Sequence, residues 1–246
     1  MIVDRVEHPG WLSNAYLIAD EPGGHGVLVD SNGLTAALEE RASREEITIT
    51  HVLCTHGHGD HVVDIADVAR RVGAPLLAHP LTNVAADERI ADGETIASGE
   101  LEFRALYTPG HCVDHIAFVA GDTHAVGTHC VTADVLFRGT VGGTAGPGGS
   151  LAALKHSILD VLLSLDPATV ILPGHREATT LADERRSNPF IRAWLDGEGL
   201  SESPCRVSGQ EATLLLWAPD YDGGHKALVR FPSGDETIVG GSRVER

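Results

Sequence analysis

The sequence predicts an α/β protein with a small β-rich segment at its C-terminal end. Three observations carry that prediction. Short β-branched runs alternate with stretches of helical spacing over residues 1–195. Three of the runs end in a tight turn bearing histidine: Thr55-His56-Gly57-His58-Gly59-Asp60-His61, Pro109-Gly110-His111 and Pro173-Gly174-His175. Composition then shifts to Gly, Glu and Ser at 196–204, and strand-like runs resume beyond it. The expected division is one large unit over 1–200 and a small β appendage of unassigned role over 205–246.

Taken in order, residues 2–6, 14–19 and 26–30 are strand-like, with the turn Glu21-Pro22-Gly23-Gly24 joining the last two. A short helix follows at 34–44, with Leu34, Ala37 and Leu38 on one face. The run 47–54 is apolar and β-branched, as in a buried strand, and 62–72 carries Ile65, Val68, Ala69 and Val72 at helical spacing. The histidine-rich turn lies between that strand and that helix. A strand at 74–79 ends in His79-Pro80, a structural or rim residue by its setting, and 82–92 is polar enough for a short helix. Residues 94–98 and 101–107 alternate like paired strands. Strands at 115–119 and 125–131 follow, then a Gly-rich loop at 139–149 positioned to pass over a substrate. Residues 151–165 show the clearest helical stripe, with Leu151, Leu154, Ile158, Val161, Leu162 and Leu165. A strand at 169–172 and helical residues around Asn188-Pro189 complete the first unit. The appendage shows strand-like runs at 212–217, 225–231 and 236–239, with His225 read as a surface residue.

The histidine-rich turn points to metal. In an extended segment residues i and i+2 face the same way, so His56 and His58 can grip one ion. Asp60 and His61 project where the helix begins, toward a neighbouring point, which suggests a second ion. A solvated histidine loop is the bland alternative, but four ligand-type side chains separated only by Gly57 and Gly59 argue against it. His111 and His175 recur in the same strand-to-turn setting and are expected ligands. Asp134, flanked by Ala133 and Val135-Leu136-Phe137, should be buried, and a metal would be its partner. His115, His124 and His129 are read as non-ligands, and His115→Ala is expected to spare both metal and activity. Asp30, at a strand end, either caps the next helix or orients a metal-bound histidine from behind.

Bulk properties exclude other classes. The formal net charge of −17 disfavours nucleic-acid binding, which needs cationic surface against phosphates. No GxxxxGK[ST] phosphate loop occurs. Cys54, Cys112, Cys130 and Cys205 show no CxxC pairing, and Met1-Ile2-Val3-Asp4-Arg5 lacks a signal pattern. No run is long and apolar enough to span a membrane. These features predict a cytoplasmic protein acting on a small molecule, without a membrane partner.

The order His-x-His-x-Asp-His, His111, Asp134, His175, with spacings of 55, 23 and 41 residues from His56 onward, resembles the metallo-β-lactamase fold superfamily and in particular glyoxalase II (hydroxyacylglutathione hydrolase). The resemblance covers about residues 1–195. It implies a four-layer αβ/βα sandwich with metals at one edge. It implies one metal on His56, His58 and His111, a second on Asp60, His61 and His175, and Asp134 bridging them. The implied cofactors are two divalent ions, zinc first, with iron or manganese as alternatives. Two such ions about 3.5–4 Å apart share a hydroxide that attacks an acyl carbon. Asp60 and Asp134 are then the catalytic carboxylates, Asp60 orienting the hydroxide. The implied reaction is hydrolysis of thioesters of a low-molecular-weight thiol. Persulfide dioxygenases resemble the same pattern with one iron on residues corresponding to His56, His111 and Asp134, and a lactone or other ester hydrolase is a further alternative. Residues 196–246 read as β-rich where glyoxalase II carries a helical segment.

Overall fold

The computed structural model describes residues 1–122 and 128–246. His124 and the start of the predicted run 125–131 lie outside the described residues. Six strands form the first sheet in chain order: β1 (Ile2–Glu7), β2 (Asn14–Ala19), β3 (His25–Val29), β4 (Thr48–Leu53), β5 (Leu76–Ala78) and β6 (Glu88–Arg89). The first three pair antiparallel through short turns. From β3 onward pairing is parallel. Parallel neighbours need crossovers, and helices α1 (Ala36–Arg44) and α2 (Ile65–Val72) supply the first two. Every residue of β2 is buried. Tyr16 and Ile18 face the second sheet, while Ala15, Leu17 and Ala19 face the helices. A strand covered on both faces carries a continuous apolar run in place of alternation.

The second sheet holds β7 (Thr95–Ser98), β8 (Leu101–Tyr107), β9 (Ile116–Asp122) and β10 (His129–Ala133). After a small hairpin of β11 (Leu136–Phe137) and β12 (Thr140–Val141), it is completed by β13 (Val170–Pro173) and β14 (Thr179–Thr180), in the order β14-β13-β10-β9-β8-β7. Only β10 and β13 pair parallel, and their crossover is α3 (Leu151–His156) with the π turn Ser157–Val161 and a 3-10 turn at Leu162–Ser164. Helices α4 (Leu181–Ser187) and α5 (Pro189–Asp196) meet at Asn188, which ends one and caps the next by accepting from the Phe190 and Ile191 amides. Phe103 and Phe118 are fully buried between the sheets, worth roughly 2–3 kcal/mol each in transferred surface. The layers run α1/α2, first sheet, second sheet, α3–α5, so the four-layer αβ/βα sandwich stands.

The C-terminal residues form a third, antiparallel sheet of β15 (Ser203–Val207), β16 (Gln210–Pro219), β17 (His225–Arg230), β18 (Glu236–Gly240) and β19 (Val244–Glu245). A bulge between Leu214 and Leu216 puts Leu215 and Leu216 on the same side. With Leu228 and Ile238 they join the core that holds Leu154 and Phe190. Cys205, Val207, Leu214 and Val229 make a separate cluster on the other face.

Three expectations need correction. Residues 82–92 form no helix, only β6. The 151–165 stripe is not one α-helix: it widens into a π turn where the Ser157 hydroxyl donates to the Pro109 carbonyl at 2.7 Å. Helix α1 starts at Ala36, and its cap position is Thr35, whose side chain makes no capping bond. Among the described residues no helix is long and apolar enough to cross a membrane.

Candidate metal centre

The site lies where strand ends of both central sheets meet. Beyond β4, Thr55 is fixed at two points by Asp30: its amide donates to Oδ1 and its hydroxyl to Oδ2, both at 2.8 Å. The same Asp30 Oδ2 lies 3.0 Å from His61 Nδ1, and Thr55 Oγ1 lies 3.0 Å from His56 Nδ1. One buried carboxylate thus aims two imidazoles, leaving both Nε2 atoms forward. This settles Asp30 as an orienting residue and not a helix cap. It holds φ = 59°, a left-handed conformation that the surrounding bonds must sustain.

The turn after β8 presents His111. Gly110, at φ = 139°, passes so close to Leu154 that a Cβ would overlap the helix backbone. His111 Nδ1 donates to the Gly143 carbonyl at 2.9 Å, and Nε2 lies 2.9 Å from His58 Nδ1. The turn after β13 presents His175. A Cβ on Gly174 would overlap Asp134 Oδ1 and crowd His61. The end of β10 presents Asp134, just after Ala133 at φ = 37°.

All seven residues expected as ligands converge. They fall into two groups, His56, His58, His111 with Asp134, and Asp60, His61 with His175, each with ligand atoms within 4.8 Å of one another. Asp134 also reaches the second group. Its Oδ1 lies 3.3 Å from His61 Nε2, and its Oδ2 lies 3.5 Å from both His111 Nε2 and His175 Nε2 and 3.9 Å from His56 Nε2. Asp60 Oδ2 lies 3.6 Å from the Nε2 atoms of both His61 and His175. His56 Nε2, His61 Nε2 and Asp134 Oδ1 are buried without a hydrogen-bond partner. Buried orphans are costly. Here they converge with two carboxylates and five imidazoles, a donor set that fits divalent transition ions.

The electrostatics differ among the imidazoles. Burial and the neighbouring His61 hold His56 well below the ordinary imidazole range, Asp134 notwithstanding, which keeps it neutral and able to coordinate. Burial pushes His61 down, but Asp134 and Asp30 outweigh it and hold it well above that range. Burial also lowers His111, against Asp134. For Asp134 itself, the upward push of burial is overcome by His61 and His175, which hold the carboxyl well below the usual range.

The residues set aside in the sequence fall in varied places. His79 stacks on Tyr107, ring centroids 4.6 Å apart. His129 belongs to neither group. The exposed His225 stacks on Trp217. His115 belongs to neither group and is fully buried, with Nδ1 2.9 Å from Thr108 Oγ1 and Nε2 accepting the Asp134 amide at 3.3 Å. Burial, then His111, lowers it to about 3. Its Nε2 holds the Asp134 backbone amide, a contact the sequence did not suggest.

Sequence reasoning missed two residues from the third sheet. Tyr221, in the turn between β16 and β17, lies flat on the His175 ring, centroids 4.4 Å apart at 13°. Lys226, at the start of β17, is buried, pairs with Asp220 at 3.0 Å and donates to the Val141 carbonyl at 2.7 Å. The one signal was a lysine, one of two in the chain, opening the apolar run Ala227-Leu228-Val229.

The model for the metallo-beta-lactamase superfamily matches residues 8–175. The hydroxyacylglutathione hydrolase GloC of Haemophilus influenzae is 27% identical over 218 residues, 78% of this chain and 99% of the relative. The structure of ETHE1 from Myxococcus xanthus superposes with a TM-score of 0.70 at 28% identity, covering 80% of this chain and 92% of that one. That of TTHA1623 in a di-iron-bound form gives 0.64 at 30%, covering 76% and 100%.

Proposed function

The chain belongs to the metallo-β-lactamase superfamily, and from that premise we propose that it is a dinuclear metal-dependent hydrolase acting on thioesters of a low-molecular-weight thiol. The observation that carries this reading is the convergence of the two ligand groups on Asp134, with imidazole nitrogens of both groups left unpartnered and facing its carboxylate. The likeness to hydroxyacylglutathione hydrolase supports the substrate class. His56, His58 and His111 would hold one ion and Asp60, His61 and His175 the other, with Asp134 between the two groups. Divalent ions bound there supply an activated water at neutral pH and polarise the acyl carbonyl.

The chain's own residues do the rest. Asp30 and Thr55 hold two imidazoles in the tautomer that leaves Nε2 free to coordinate. Asp60, more exposed than the other carboxylates at the site, would orient the attacking water. A thiolate leaves without acid assistance, which suits a site whose nearest non-ligand imidazole, His115, is held neutral by burial. Zinc is the expected metal, and the di-iron form of TTHA1623 makes iron the first alternative. The four free, buried cysteines fit a reducing cytoplasm. The test is metal content of protein purified without added metal, followed by a thioester panel. Two ions per chain with thioester turnover is the expected result.

A second reading is oxygenation of a persulfide at a single iron on His56, His111 and Asp134. It is supported by the closeness of those three residues and by the likeness to ETHE1. One iron per chain with substrate-dependent oxygen uptake would establish it in place of the first.

A further inference from the structure

The backs of the site's imidazoles are held unequally. His56 Nδ1 rests on Thr55, His61 Nδ1 on Asp30 and His111 Nδ1 on Gly143. His175 differs from these three: its Nδ1 is buried and has no hydrogen-bond partner among the described residues. A metal-ligating histidine ordinarily has its ring orientation fixed by the bond that its second nitrogen makes. What touches His175 instead is a ring face, because Tyr221 stacks on it at 4.4 Å and 13°.

Tyr221 is itself well secured. Its carbonyl accepts from Arg176 Nε at 3.3 Å, tying the hairpin turn to the residue after His175. Phe137 packs against both rings, 4.9 Å from Tyr221 and 5.7 Å from His175. The Lys226 ammonium lies 5.1 Å from the Tyr221 ring and 5.2 Å from that of Phe137, close enough for cation–π attraction.

The same sheet also reaches the other ligand group. The carbonyl that orients His111 belongs to Gly143, and the third sheet grips the chain on either side of it. Lys226 holds the Val141 carbonyl. Thr144 donates its amide to Ile238 and accepts the Ile238 amide on its hydroxyl, at 3.0 and 2.9 Å. The Thr144 hydroxyl also lies 3.0 Å from that of Thr237.

We propose that the C-terminal sheet is the positioning frame of the metal centre: Tyr221 sets the His175 ring by stacking, and the Thr144–Ile238 pairing sets the Gly143 carbonyl that orients His111. This rests on the metal-binding reading above and goes beyond it by giving residues 205–246 a role. Tyr221 and Thr144 act through ligands, as positioning residues, and touch no substrate in this role.

The test is metal affinity of the full chain, stripped by a chelator and titrated with cobalt against a chromophoric competitor. His58→Ala and Asp60→Ala mark which cobalt absorption belongs to which group. Tyr221→Leu should weaken the His175 position about 10–100-fold, the usual cost of losing such support, and leave the other within a few-fold. Tyr221→Phe keeps the ring face and should bind as the wild type does. The isosteric Thr144→Val should show the mirror result, weakening the His111 position. Wild-type affinity at both positions in Tyr221→Leu and Thr144→Val overturns the inference, as does a Tyr221→Phe variant as weak as Tyr221→Leu. A wild type that binds no ion overturns the metal reading along with it, whereas a wild type that loads two beside unaltered variants overturns the positioning frame alone.

Discussion

The two ligand groups differ in what stands behind them. His56 and His111 lean on neutral oxygens, the Thr55 hydroxyl and the Gly143 carbonyl. His61 leans on the Asp30 carboxylate, and its group contains Asp60 besides. A neutral acceptor fixes a ring's orientation, whereas a carboxylate also raises its basicity. The His61 side therefore concentrates more negative charge, with Asp30 and Asp60 beside Asp134, whereas on the His56 side Asp134 is the one carboxylate among three imidazoles. The expectation is that the His61 side holds its ion more tightly, and each experiment below breaks or sharpens that asymmetry.

The largest effect is expected where the groups share a residue. Asp134→Ala removes the one carboxylate that reaches four imidazoles, so both ions and all turnover should be lost. Elemental analysis showing two ions in that variant would end the bridging assignment. Next comes Asp30→Asn, which should cost about 10–100-fold in affinity, chiefly on the His61 side. An equal loss on both sides would mean that the Thr55 relay matters as much as the charge. Graded chelation of the wild type should empty the His56 side first; simultaneous release would remove the asymmetry. His115→Ala leaves the buried Asp134 amide without its acceptor, and should lower stability by about 1–3 kcal/mol in denaturant unfolding while weakening both sides alike. Smallest is Thr55→Val, which deletes hydroxyl bonds to Asp30 and His56 for about 1 kcal/mol.

Residues that lie close along the chain, or at strand ends, were the ones legible beforehand. His56, His58, Asp60 and His61 share one turn, and Pro-Gly turns flag His111 and His175. Asp134 betrays itself as a carboxylate among apolar neighbours. The alternation of strands with helical stripes was enough for the α/β class and for most elements of the sandwich. What stayed hidden depends on contacts between distant segments. Asp30 as a cap and Asp30 as an orienting group look alike locally, and only its 3.0 Å approach to His61 separates them. Nothing within residues 151–165 announces that Ser157 will bond to Pro109 and widen the helix. Tyr221 sits in an ordinary hairpin turn, and its place over His175 follows from how the third sheet packs on Leu154 and Phe190. Strands β15 and β19 were missed because β19 is a two-residue edge strand and β15 opens with the sheet-averse Ser203-Pro204 pair.

The parallel pairing of β10 with β13 has a kinetic consequence. It joins residues some forty positions apart and, in the same step, brings Asp134 beside His175. Contacts of such separation form late, because loop closure must be met before they stabilise anything. The Asp60–His61–His175 group and the contacts of Asp134 with His56 and His111 all join the two halves of the chain, so a partly folded chain has no complete native site to offer metal. Acquisition of tightly held metal should then keep pace with the slowest folding phase, and the rate at which bound metal becomes resistant to a chelator would serve as a clock for the closing of the two sheets.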